Sequence, residues 1–170
     1  FQSCKILRTV TFHCGALKSI GTEAFYVTGV RSVVLPSTYT GNTFLYYNSN
    51  YDHISISRMT CLSANCASVP ASGHLLVPAA VVGIGYRQFQ SCSALKTVTF
   101  ASGSQCKFIE RGAFASTSLS SISIPDSVTT IVAESFQNCS RLSTIVFSNT
   151  SSLQSIGQSA FSATALTGVV

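Results

Sequence analysis

Charge is what this sequence has least of. Only 9% of its 170 residues are Asp, Glu, Lys or Arg, against about a quarter in an ordinary globular domain, and there is no Trp. With so few ionic groups, the exposed polar positions fall to Ser and Thr, which suits a surface made of short strands. The five carboxylates (Glu23, Asp52, Glu110, Asp126, Glu134) are spread along the chain. The ten cations give a net charge of +5 but never form a dense run, which argues against a nucleic-acid tract. Long apolar runs are missing too. The most apolar stretch, LLVPAAVVGIG at 75–85, is too short to span a bilayer and contains a proline. No signal peptide is visible, and residue 1 is Phe, which reads as a cut or processed start rather than as a sign of a cytosolic parent.

What is present is repetition. FQSCKILRTVTF at 1–12 returns as FQSCSALKTVTF at 89–100, altered at three positions. With the aromatic of FQSC as anchor, equivalent positions fall at Phe1, Phe25, Tyr47, Ala67, Phe89, Phe114, Phe136 and Phe161, spaced 20 to 25 residues apart. Eight residues before each anchor stand Leu17, Tyr39, Met59, Val81, Cys106, Val128 and Leu153. Five before stand Ile20, Asn42, Leu62, Ile84, Ile109, Ile131 and Ile156. Asn42 alone breaks the apolar rule.

Downstream of the anchors, long units read F-x-x-C-x-x-L-x-x-V-x-F, as in Phe89, Cys92, Leu95, Val98 and Phe100. Short units lose a residue and end in proline, as in Leu119, Ile122, Ile124 and Pro125. Segments such as Thr97-Val98-Thr99-Phe100 alternate apolar and polar residues with the period of a half-buried strand. One such strand cannot cover its own apolar face. Stacked on copies of itself at about 4.8 Å per layer, it builds a parallel sheet over a continuous core. The small residues before the anchors predict a turn and a short helical or 3-10 segment on the opposite wall.

Three motifs recur in register: I-G-x-x-A-F, F-x-x-C-x-x-L-x-x-I and I-P-x-S-V-x-x-I (Ile124–Ile131). On these the chain resembles the BspA-type (treponemal-type) leucine-rich repeat family over nearly its whole length. The expected fold is an α/β repeat solenoid, a right-handed coil of seven to eight rungs with a parallel β-sheet on one face and short helical or 3-10 turns opposite. Residues 1–170 are expected to form a single array. Rungs at 37–74 should be degenerate, since Tyr47, Asn50, His53 and Arg58 stand where Phe, Cys, Leu and Phe belong. Both ends fall within a repeat and no polar capping unit is visible, which reads as a slice of a longer array.

Seven cysteines invite a disulfide or metal reading. Cys4, Cys92 and Cys139 share one inward position, and Cys106 occupies another, so all four are expected to be buried packing thiols. Cys61 and Cys66 could be cross-linked. Cys14 lies two layers from them, about 10 Å, too far for a disulfide without distortion. An odd count leaves at least one free thiol. Cys61, Cys66 and His74 lack a fourth zinc ligand and the usual spacing, so no metal and no cofactor are expected. His13 and His53 are isolated, and no nucleophile, base and oxyanion site assemble, so no catalytic residue is assigned. Glu23, Glu110 and Glu134 precede anchors, where they would favour helix N-termini.

The remaining candidate is the outer sheet face: Thr9, Thr11, Ser32, Val34, Thr97, Thr99, Ser121, Ser123, Thr144 and Val146. These rows suit contact with a protein partner, because a pre-ordered backbone lowers the entropic cost of binding. They are equally the residues any exposed strand favours. No large aromatic or Arg stands among them, so affinity would come from repeated weak contacts along the array. Two N-glycosylation sequons begin at Asn138 and Asn149, the second expected to be more accessible because Asn138 adjoins Cys139.

The resemblance implies a non-enzymatic surface or secreted protein, an adhesion module or surface antigen that binds host-cell or matrix proteins. It implies no nucleic acid, no membrane span in this segment and no small-molecule substrate. A structural spacer, an antigenic coat segment and an intracellular protein-binding adaptor are the alternatives.

Overall fold

A computed structural model describes residues 6–14, 20, 30–37, 39 and 55–167, with the backbone alone for 55–59. The chain divides into two compact units, Phe1–Thr60 and Cys61–Val170. Phe1, Cys4, Phe25, Asn42 and Tyr47 lie outside the described residues.

The first unit holds a parallel sheet of β1 (Thr9–Thr11), β2 (Ser32–Pro36) and β3 (Ser55–Met59) in the order β1-β2-β3. Alternation does what the sequence requires. Val10, Val33 and Leu35 are buried together with Val30 and Tyr39, while Thr9 and Thr11 face out.

The second unit has two parallel sheets. One joins β4 (His74–Val77), β6 (Thr97–Phe100), β8 (Ser121–Ile124) and β10 (Thr144–Phe147). The other joins the two-residue strands β5 (Gly83–Ile84), β7 (Phe108–Ile109), β9 (Thr130–Ile131) and β11 (Ser155–Ile156). The sequence did not suggest this second sheet. Its inward residues Ile84, Ile109 and Ile131 are those expected five before each anchor, and each is fully buried.

The anchors form a third wall. The rings of Phe89, Phe114, Phe136 and Phe161 stack with centroids 5.7, 5.4 and 5.3 Å apart, the column that the anchor spacing predicts. Among the described residues the single 3-10 helix is Cys66–Ser68, around the substituted anchor Ala67, whereas the phenylalanine anchors Phe89, Phe114, Phe136 and Phe161 sit in chains of tight turns with no helix.

Those turns follow one rule. The residues two before and two after the anchor adopt left-handed backbone: Arg87 and Ser91, Gly112 and Ser116, Glu134 and Asn138, Ser159 and Ala163. Alternating the backbone hand turns N–H groups along the stacking axis. Arg87, Phe89 and Ser91 donate to the carbonyls of Arg111, Ala113 and Ala115 on the next rung. Gly112, Phe114 and Ser116 donate to Ala133, Ser135 and Gln137, and Glu134, Phe136 and Asn138 donate to Gln158, Ala160 and Ser162. A helix would have spent these donors within its own rung. Here they bind rung to rung, so the wall is a ladder.

Ile156 departs from its expected burial and is 52% exposed, with Leu153 and Phe161 only partly buried. In the same columns Ile131, Val128 and Phe136, which have a described rung on either side, are fully buried. Burial in a solenoid comes from both neighbours, and the rung of β11 has one among the described residues.

Phe114→Ala should cost about 3–5 kcal/mol in urea denaturation, since it opens a cavity in the middle of the ring column, and exposed Thr99→Ala should cost little. Left-handed positions give a second expectation. Ser116→Gly should stabilise by about 0.5–1 kcal/mol and Gly112→Ala should destabilise by about 1 kcal/mol, because the left-handed conformation is costly for residues carrying a Cβ.

Candidate functional site

Strand register brings the proposed face residues together within each unit. In the first, Thr9 pairs with Ser32 and Thr11 with Val34, and the register continues to Ser55 and Ser57. In the second, one row runs His74, Thr97, Ser121, Thr144. A second row contains Leu76 beside Thr99 and Ser123 beside Val146. The hydroxyl-bearing members of these two rows are exposed.

Sequence reasoning missed the two residues that give this face its character. His74 and Leu76 occupy outward positions of β4, whose Leu75 and Val77 are buried, so the alternation of that strand was enough to find them. His74 Nδ1 lies 2.9 Å from Thr97 Oγ1, and Leu76 is 57% exposed. The face therefore carries Leu76 and Val146 flanking the hydroxyls of Thr99 and Ser123.

The sheet parts at one place. β6 and β8 pair only through Thr97–Ser121 and Val98–Ile122, whereas β4–β6 and β8–β10 pair along four residues. A groove of about 490 Å³ opens beyond the break, lined by Thr99, Phe100, Ser104, Ser123, Pro125 and Asp126 among others. Both carboxylate oxygens of Asp126 accept from the following turn, one from Ser148 and the other from Thr150 Oγ1 at 2.5 Å. These hydroxyls hold the carboxyl of Asp126 below its ordinary range. The groove therefore combines apolar and hydroxyl walls with the ionised carboxylate of Asp126.

Glu134 corrects the expected helix-N-terminal role. It sits in a left-handed turn and pairs with Arg111 of the neighbouring rung, Arg111 Nη2 lying 2.7 Å from Oε1 and Nε 3.2 Å from Oε2. Hydrogen bonding to Arg111 holds the Glu134 carboxyl below its ordinary range.

The cysteines separate into two groups. Cys139 and Cys106 are buried free thiols, as expected. Cys139 Sγ lies 3.0 Å from the Phe114 carbonyl, the anchor of the preceding rung. Burial pushes the Cys106 thiol up to about 11. Cys92 corrects its expected role, for it is bonded to Cys66 with a Cα–Cα distance of 5.4 Å. The reason is the column itself. Cys92 occupies the position from which Cys139 aims at the preceding anchor, and the preceding anchor of Cys92 is Ala67, next to Cys66. Cys61 therefore does not pair with Cys66, and both Cys14 and Cys61 are themselves disulfide-bonded. Cys66, held in its disulfide, offers no thiolate to a metal.

Asn138 and Asn149 are both exposed. The left-handed turn points Asn138 outward while Cys139 beside it is buried.

The BspA type leucine rich repeat profile matches residues 1–72 and 73–170, in six copies. The chain belongs to the BspA-type leucine-rich repeat family. Solved structures similar to this leucine-rich repeat chain include a leucine-rich repeat protein from Bacteroides ovatus (27% identity, 96% of this chain and 48% of that one, TM-score 0.48). A leucine rich cell surface protein from Faecalibacterium prausnitzii is 23% identical over 82% of this chain and 47% of its own, with a TM-score of 0.41. A leucine-rich repeat protein from Eubacterium ventriosum is 20% identical over 94% and 66%, with a TM-score of 0.44. The chain spans about half the length of the first two, at 48% and 47%. No curated protein matches it in sequence. No helix among the described residues is long and apolar enough to cross a membrane.

The carboxylates make the fold sensitive to acid. Both Glu134 and Asp126 titrate below their ordinary values of 4.5 and 3.8, so the stability they add is complete above those values and is lost as pH falls through the folded ones. Urea midpoints measured from pH 7 to pH 3 should fall less steeply in Glu134→Gln and Asp126→Asn than in the parent chain.

Proposed function

We propose that this leucine-rich repeat chain is a non-enzymatic recognition module of the cell surface, an adhesion module that binds a host-cell or matrix protein through the outer face of its parallel sheets. The observation that carries the reading is the exposed row His74, Thr97, Ser121 and Thr144, held in register across four strands, beside the paired halves Leu76–Thr99 and Ser123–Val146, all on an already ordered backbone. Thr97, Thr99, Ser121, Ser123, Thr144 and Val146 form this face in the second unit, and Thr9, Thr11, Ser32 and Val34 form its counterpart in the first. Family membership supports a protein-interaction role, and repeats of this kind gain strength from many weak contacts.

The Cys66–Cys92 bond supports an oxidising compartment and weighs against an intracellular adaptor. Asn138 and Asn149 are acceptors for glycan if the chain passes through a glycosylating pathway. We assign seven to eight coils to residues 1–170, as the anchor spacing predicts.

A direct test is to immobilise host matrix proteins and measure binding of the purified chain by surface plasmon resonance. Thr99→Arg with Ser123→Arg, two bulky charges in the middle of the face, should reduce binding at least about tenfold, and Asn149→Gln should leave it unchanged. Binding indifferent to the arginine pair would move the contact off the sheet. Absence of binding to matrix proteins and to whole host cells alike would favour the spacer reading.

A further inference from the structure

The ring column has one weak end. From Phe89 onward each wall segment is joined to the next by three backbone hydrogen bonds. On the other side of Phe89 lies segment 61–72, which carries Ala67 where a ring would stand. Phe89 is nevertheless fully buried, with Leu62, Ala64 and Val69 packed against the same core. Something other than the ladder must hold that cover in place.

A single backbone bridge from Cys61 to Gly83 ties its first residue, and two side-chain devices hold the rest. The Gln88 amide clamps the segment, Nε2 donating to the carbonyls of Leu62 at 2.8 Å and Ala64 at 2.5 Å while Oε1 accepts from the Gly85 N–H at 2.6 Å. The Cys66–Cys92 bond joins the exposed 3-10 turn to the buried column. The turn itself buries no residue, and its local order comes from the Asn65–Ser68 capping box. With no wall ladder among the described residues and an exposed turn beyond Leu62, 61–72 is the first element of this unit to open. Cys66 is an exposed residue and Cys92 a fully buried one, so a reductant approaches the bond from the Cys66 side.

We propose that residues 61–72 are a disulfide-latched cover over the Phe89 end of the aromatic column, closed by the Cys66–Cys92 bond and released when an external dithiol reduces it. In that step the thiolate of the dithiol attacks Cys66 Sγ, the S–S bond breaks, and Cys92 leaves as a thiolate that takes a proton. The second thiol then displaces Cys66, so the protein gains two thiols and the reagent becomes a disulfide. Release uncovers Phe89 and leaves the rungs from Phe114 onward in their ladder.

Hydrogen–deuterium exchange read by mass spectrometry tests this on the whole chain. Because Cys14 and Cys61 are also disulfide-bonded, the double variant Cys66→Ser/Cys92→Ser isolates the latch. Exchange across 62–69 should rise roughly tenfold or more in the variant, with 109–147 unchanged, and dithiothreitol, which also reduces the other disulfide-bonded cysteines, should raise it at least as far in the parent chain. An environment-sensitive apolar dye should bind the variant and not the oxidised parent. Parent-like exchange over 62–69 in the variant would overturn the proposal. So would an even loss of protection through 109–147, or a variant that fails to fold, since the bond would then hold the whole unit rather than a cover.

Discussion

Everything in the second unit depends on backbone groups finding their partners in the neighbouring rung. An N–H or C=O withdrawn from water without a partner costs more than most side-chain contacts return, so a coil whose bonds point along the stacking axis is stable only beside another coil of the same shape. Three ladders meet this demand: the long strands, the two-residue strands and the turns around each phenylalanine. Once they set the register, each inward column must repeat its chemistry. Val98, Ile122 and Ile145 form one column, Leu95, Leu119 and Leu142 another, and the stacked rings a third.

That repetition is why so much of the fold was legible in the sequence. A residue that recurs every 20 to 25 positions with an unchanged apolar neighbour has to lie above its copy, and alternation within each strand gives its direction. The turn wall was harder to read, because its left-handed positions are filled by Arg87, Glu134, Ser159 and Ala163 as well as by Gly112. The ladder holds these residues in a conformation they do not prefer, so no glycine signature is left. The disulfide was hidden for a different reason. It joins the anchor-adjacent Cys66 to a cysteine three places beyond the next anchor, two columns that never align in a repeat table.

The candidate face was legible to the same extent. Thr97, Thr99, Ser121, Ser123, Thr144 and Val146 followed from alternation, whereas His74 and Leu76 were overlooked because their strand lies beside the degenerate stretch. The parting of β6 from β8 has no counterpart in the pattern of residues, since short and long units pair fully elsewhere. Scarcity of charge also takes on a meaning. The ionic contacts of Arg111 with Glu134, and the hydroxyl contacts of Asp126 with Ser148 and Thr150, all cross from one rung to the next. These three charges fasten one coil to the next.

The common direction of the three ladders makes the unit mechanically anisotropic. Tension along the axis pulls each hydrogen bond end-on and separates one coil at a time, each step involving only the bonds of a single layer. Tension across the axis loads the same bonds in shear, many at once. A tether attached at the ends of such a stack would yield by gradual paying-out of chain, and a covalent stitch between two neighbouring coils is where that peeling would halt.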